Sequence, residues 1–191
     1  MSQSDQRGVS LVELIVFIVI VSTAVMGVLG VLGIATRSSA DPMIQKQALA
    51  IAEALLEEIQ LQPFTFCDPD DANASAALSA AGCTGGAGGA NDESGSPLGP
   101  EGAETRTGAA TPFDNVSDYN GFAMGPGITD ITGAAIPGLD GYSAAVTVAT
   151  QGLDAIAPAN SLLITVTVTG PGDTTVVLQG YRVRYAPNAL P

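Results

Sequence analysis

The first pattern along the chain is a run of 23 residues, 14–36, with no charged side chain and mostly Val, Ile, Leu and small residues. At about 1.5 Å of rise per residue, such a run crosses the roughly 30 Å hydrocarbon core of a bilayer as one helix. A cleaved secretory signal usually has an apolar core of only about 7–15 residues, so a membrane helix is the first expectation. The pattern then takes a helical period. Ile44, Ala48, Ile51, Leu55 and Ile59 form a stripe, widened by Leu49, Ala52 and Leu56, with Lys46, Glu53 and Glu57 on the opposite side. This predicts an amphipathic helix over about 42–62, with Asp41 as its cap, Pro42 in its first turn and Pro63 as its stop.

Residues 68–112 carry few large apolar side chains and many Gly, Ala, Ser, Asp and Pro, which reads as a long exposed loop. Beyond it the period changes to two. Tyr142–Thr150, Leu162–Thr169 and Thr174–Tyr185 are rich in β-branched residues. Ile164, Val166 and Val168 alternate with Thr165, Thr167 and Thr169, as in a strand with one dry and one wet face. Gly170-Pro171-Gly172-Asp173 predicts a hairpin turn into the last run, where Arg182 and Arg184 point the same way as exposed cations. A long helix resting on such strands is an α+β arrangement.

Charge divides the chain. From Asp41 onward 17 acidic residues face only Lys46, Arg106, Arg182 and Arg184, so the net charge of −13 belongs to the part after the apolar run. Such a surface repels phosphate backbones, and no nucleic-acid partner is expected. The sequence has no histidine, which excludes Ser/His/Asp and Cys/His catalysis and removes the commonest transition-metal ligand. With no phosphate-cradling loop or nucleophile constellation, neither an enzyme nor a cofactor is expected. Cys67 and Cys83 do not form a C-x-x-C; downstream of a membrane-crossing segment a disulfide is the natural reading, with two free thiols in a cytosolic loop, or a metal role, as alternatives. Asp68, Asp70, Asp71 and Asn73 are weak candidates for calcium. They fail the EF-hand pattern, and a solvated acidic turn is the simpler reading.

Glu13 stands at the entrance of the apolar run, in Arg7-Gly8-Val9-Ser10-Leu11-Val12-Glu13. An ionisable group in a span costs roughly 2.5–3.5 kcal/mol on insertion scales and is usually paired. A cut after Gly8 would create an amino group at Val9 one helical turn from Glu13, able to pair within the chain or with Glu13 of a neighbouring copy. Gly27, Gly30 and Gly33 share one side of the helix, which admits close approach of another helix.

A short polar leader ending in Gly, then five residues ending in Glu, then a long apolar run resembles the N-terminus of type IV prepilins and type II secretion pseudopilins. The segments Gln47–Ile59 and Phe113–Phe122 also resemble minor pilins of the mannose-sensitive haemagglutinin pilus system. The resemblance implies a leader over 1–8, a transmembrane and assembly helix over 9–37 and a globular pilin domain over 38–191. It implies cleavage after Gly8 by a prepilin peptidase, methylation at Val9, and a Glu13 that docks on a neighbouring subunit. The partners implied are other pilin subunits, the inner membrane and the pilus assembly machinery. The location implied is a single-pass inner-membrane protein with a cytoplasmic N-terminus, later part of a surface fibre. The competing expectation is a soluble periplasmic binding domain released by cleavage at Ser38-Ser39-Ala40, after Ala40.

Overall fold

The computed structural model describes residues 10–95 and 98–188, with the backbone only for 34–41. It divides into two compact units, Met1–Met43 and Ile44–Pro191. Helix α1 spans Leu11–Leu61. Within the first unit, Leu11–Gly33 forms 23 residues of mean hydropathy 2.8, long and apolar enough to cross a membrane, with none of it buried.

The helix does not restart at Asp41. Pro42 lies inside α1, where a proline removes one i→i−4 hydrogen bond. The helix-forming residues that follow, Gln47 to Leu56, continue the helix past it.

In the second unit the periodic stripe is the helix's buried face. Ala48, Ile51, Ala52, Leu55 and Ile59 are buried, whereas Leu49 is 37% exposed and falls outside the stripe. The helix ends at Leu61, two residues before Pro63, with the Gln62 N–H closing on Ile59 O at 3.1 Å.

Four strands pair antiparallel in chain order: β1 (Ala123–Met124), β2 (Ser143–Thr150), β3 (Ser161–Gly170) and β4 (Thr174–Val183). Val146 lies opposite Val166, which lies opposite Leu178. The alternation foreseen on β3 holds, with Leu162, Ile164, Val166 and Val168 buried and Thr165 and Thr167 half-buried. At the β3–β4 turn Gly172 and Asp173 take φ of +67° and +58°, the left-handed region that glycine and aspartate tolerate best. β1 is only two residues long and carries no period to read.

The helix stripe and the dry face of the sheet form one core, to which the 113–128 segment adds Phe113, Val116, Tyr119 and Ile128. Burying each large side chain contributes about 1.5–3 kcal/mol. Gly180 faces the helix closely: a Cβ there would collide with Gln60 Nε2 and meet Leu56 Cδ1 at 3.1 Å. Phe113, Tyr119 and Phe122 pack edge to face, with ring centres 5.0–6.0 Å apart.

Residues 68–112 differ from the exposed loop expected. Cys67, Ala74, Ala77 and Cys83 form a small second core, and Asp68, Asp71, Asp92, Glu93 and Arg106 are buried. The order comes from polar contacts. Strand-like segments around Phe66–Asp68 and Asn91–Glu93 exchange backbone bonds of 3.0–3.1 Å, and aspartate side chains close the turns between them. Arg182 and Arg184 also depart from expectation. Arg182 donates to Gln62 O at 2.9 and 3.1 Å, and Arg184 lies over the rings of Phe64 and Phe66 at 3.8 and 4.5 Å. A guanidinium is weakly hydrated and planar, so it stacks on aromatic faces rather than standing in water.

Candidate functional site

The start of α1 is built by Ser10. Its hydroxyl accepts the Glu13 N–H at 3.3 Å and its carbonyl accepts the Leu14 N–H at 3.1 Å. Ser10 is therefore the cap and Glu13 the third helical position, the Ser-x-x-Glu arrangement of a capping box. A carboxylate there also faces the positive end of the helix dipole. Among the described residues Glu13 has no cationic partner. Gly8 and Val9, the expected processing positions, lie outside the described residues, and the bond following Ala40 lies within α1.

Further along, the two hydroxyls between Leu14 and Gly33 are satisfied by the helix itself. Ser22 donates to Ile18 O at 2.7 Å and Thr23 to Val19 O and Ile20 O at 3.0 Å, so no hydroxyl needs water there. Large apolar side chains from Leu11 to Leu32 are 41–75% exposed. Gly27, Gly30 and Gly33 have no atom within 4 Å of where a Cβ would stand, so nothing packed within this chain requires their smallness.

Cys67 and Cys83 form a disulfide. Just beyond it, the four oxygen-bearing residues singled out in the sequence separate. Asp71 is used structurally: its carboxylate accepts the N–H groups of Asn73 and Thr84 at 2.7 Å and the Thr84 hydroxyl at 3.1 Å. Burial pushes its pKa up, but these bonds outweigh it and hold it below the usual value. Asp68 and Asp70 instead join residues distant in sequence.

Seven carboxylates make up that assembly, in three overlapping groups whose ligand-capable oxygens lie within 4.8 Å of one another: Asp68, Asp70 and Asp114; Asp68, Glu101 and Glu104; Glu93, Glu101 and Asp118. Burial, then mutual repulsion, shifts Asp68, Glu93, Glu101, Glu104, Asp114 and Asp118 upward. Asp114 reaches about 7. Asp118 reaches about 8 despite hydrogen bonds from Asn115 and Asp114. Asp68, Glu93, Glu101 and Glu104 rise for the same first cause. Only Asp68 and Asp70 of the seven were singled out from sequence. The available signal was acidic residues recurring through a Gly/Ala-rich loop closed by a disulfide.

A third feature is an open apolar groove of about 370 Å³, lined by Ile51, Leu55, Met124, Ile128, Ile136 and Leu139. The chain matches no protein-family model, no curated protein and no solved structure among those compared. What these comparisons leave is an α+β chain with an N-terminal helix able to span a membrane, a four-stranded antiparallel sheet and one disulfide.

Proposed function

We propose that the chain is a minor pilin-like subunit that joins or primes a type IV pilus-like fibre through the first turns of α1. One observation carries the reading: an unburied 23-residue apolar helix whose first turn holds a lone carboxylate, Glu13. An apolar cylinder of this kind needs lipid first and other helices later. In the fibre each Glu13 meets the Val9 amine of a neighbouring subunit, which gives a charge-assisted hydrogen bond where an unpaired carboxylate is costly. The smallness of Gly27, Gly30 and Gly33 serves close packing against those neighbours. The prepilin peptidase, the inner membrane and the assembly machinery are the further partners, and the acidic domain carries no catalytic task.

A second reading of Glu13 rests on the Ser10 hydrogen bond: the carboxylate is a helix cap and nothing more. Two substitutions separate them. Glutamine completes a capping box as well as glutamate does, but has no charge for an amine. Glu13→Gln and Glu13→Leu should both insert into membranes normally, and both should lose incorporation into fibres or co-purification with other pilins at equal protein level. Loss confined to Glu13→Leu would mean capping, and assembly by both at parental level would sink the proposal.

The competing class, a binding domain released after Ala40, has the apolar groove in its favour. Against it, the scissile bond sits inside a helix.

A further inference from the structure

Asp118 and Glu93 are each only 1% exposed, and each has one oxygen spoken for. Asp118 Oδ2 accepts the N–H groups of Asp114 and Asn115 at 2.9 and 2.7 Å. Glu93 Oε2 accepts the Ser117 hydroxyl. The other oxygens, Asp118 Oδ1 and Glu93 Oε1, are buried and receive no hydrogen bond among the described residues. A buried carboxylate oxygen without a donor costs its full desolvation.

A third carboxyl, Glu101, brings an oxygen within 4.8 Å of one oxygen from each of them. Two species can fill such a space. A proton shared between Glu93 and Glu101 would relieve that pair but leave Asp118 Oδ1 bare. A cation set among the three satisfies all of them at once. The Arg184 guanidinium does not do so: it is held over Phe64 and Phe66, its Nη2 reaches only the backbone carbonyl of Glu93 at 3.5 Å, and its buried Nε bonds neither carboxylate.

We propose that Glu93, Glu101 and Asp118 form a binding site for a divalent cation of the calcium class. The donors are hard oxygens only, since the chain has no histidine and both cysteines are in the disulfide. Calcium accepts irregular shells of oxygens at about 2.3–2.6 Å, so ligands nearly 5 Å apart can face each other across it, while magnesium demands about 2.0–2.1 Å and a near-ideal octahedron. Asp68 and Glu104, which share Glu101 with the site, and Asp70 and Asp114 beyond them, surround it with negative charge that draws cations in. The three ligands come from different places: Glu93 is bonded by its backbone to Phe66 beside the disulfide, Glu101 lies in the loop, and Asp118 belongs to the 3-10 turn Ser117–Tyr119. Bound cation therefore clamps the loop onto the segment that carries the aromatic cluster. The inference goes beyond the assembly reading and does not depend on Glu13.

The test uses the full chain in detergent, freed of metal with a chelator that is then removed. Calorimetric titration with calcium chloride should give saturable binding, with a Kd of about 10⁻⁴–10⁻³ M or tighter, as for extracellular calcium modules. At a hundredfold excess over Kd, calcium should raise the melting temperature by roughly 5–10 °C. Magnesium at the same concentration should do much less. Glu101→Gln, at the half-exposed position that tolerates change, and Asp118→Asn should each weaken calcium binding at least tenfold. The absence of saturable binding to the parent overturns the proposal. So does an equal response to magnesium that Glu101→Gln leaves unchanged, which would mean a diffuse counter-ion cloud. So does a Glu93→Gln variant that melts higher than the calcium-free parent while the parent ignores calcium, which would mean a shared proton.

Discussion

Arg106 forks onto Glu58, Nε to Oε1 at 2.6 Å and Nη2 to Oε2 at 2.7 Å, joining the loop to the helix across 48 residues of sequence. The Tyr119 hydroxyl donates to the same Oε1 at 2.8 Å, and Arg106 Nη1 donates to the carbonyls of Thr129 and Asp130. The guanidinium is thus held by two segments, the helix and residues 129–130, while Tyr119 holds its carboxylate partner.

Removing Arg106 should be costly because it leaves Glu58 facing Tyr119 alone. Breaking a fully buried pair costs about 3–5 kcal/mol. The Glu58 side chain is 20% exposed and keeps some water, so we expect Arg106→Met to cost roughly 2–3 kcal/mol in denaturant unfolding. Adding Glu58→Met should recover part of the loss. A double variant as unstable as the sum of the two singles would show that the pair is not coupled.

The disulfide should be present in all protein that has crossed the membrane. Alkylation of unreduced, denatured chain should label neither cysteine. Replacing both by serine should cost about 3 kcal/mol for a closed loop of this length on the chain-entropy view. Labelling of both residues in unreduced protein would contradict the pairing.

Asp71 supplies an acid-dependent increment. Its folded pKa lies below the unfolded value of about 3.9, so its contribution is present above that pH and is lost as pH falls through the folded pKa. The stability difference between parent and Asp71→Ala should therefore shrink as pH is lowered from 5 to 2.5 (roughly the span over which an aspartate titrates). A constant difference would place the effect in packing instead.

Two glycines should respond in opposite ways. Gly180→Ala meets only the ends of the Gln60 and Leu56 side chains, which must turn aside, and should lower stability by at most about 1 kcal/mol. Gly27→Ala meets open space in this chain and gains helix propensity, so the isolated subunit should be unharmed. Fibre incorporation is where a Gly27→Ala defect should show, by electron microscopy at equal expression.

Processing gives the last measurement. Mass spectrometry of membrane-extracted protein should find an N-terminus at Val9, methylated. A start at Met1 or at Asp41 would refute the assembly reading or favour release of the domain, respectively.

Where apolar side chains set the structure, the sequence was readable. The Ile44 to Ile59 stripe and the Ile164, Val166, Val168 alternation each state a period, and the fold buries those faces. The two cysteines needed only a compartment to be paired. The 68–112 region was opaque because its order rests on aspartate-to-backbone bonds, which have no period and resemble the composition of a disordered loop. Arg184 misled for a related reason: its neighbours Phe64 and Phe66 are some 120 residues away in sequence, and alternation along a strand cannot reveal a stacking partner. Leu49 was misplaced by its type, since an isolated exposed leucine on a helix is ordinary.

β4 is ten residues long, and on its outer side no strand pairs with it among the described residues. Its backbone is a ready template for another copy's strand, and Val177 at its middle is 52% exposed. The strand has no proline or bulge to refuse such a guest. What keeps copies apart is the domain's net charge, which is felt over a Debye length of about 8 Å at physiological salt and about 3 Å at 1 M. Concentrated salt therefore removes the guard from the sheet's open edge, and solubility of this protein becomes a matter of ionic strength before it becomes a matter of folding.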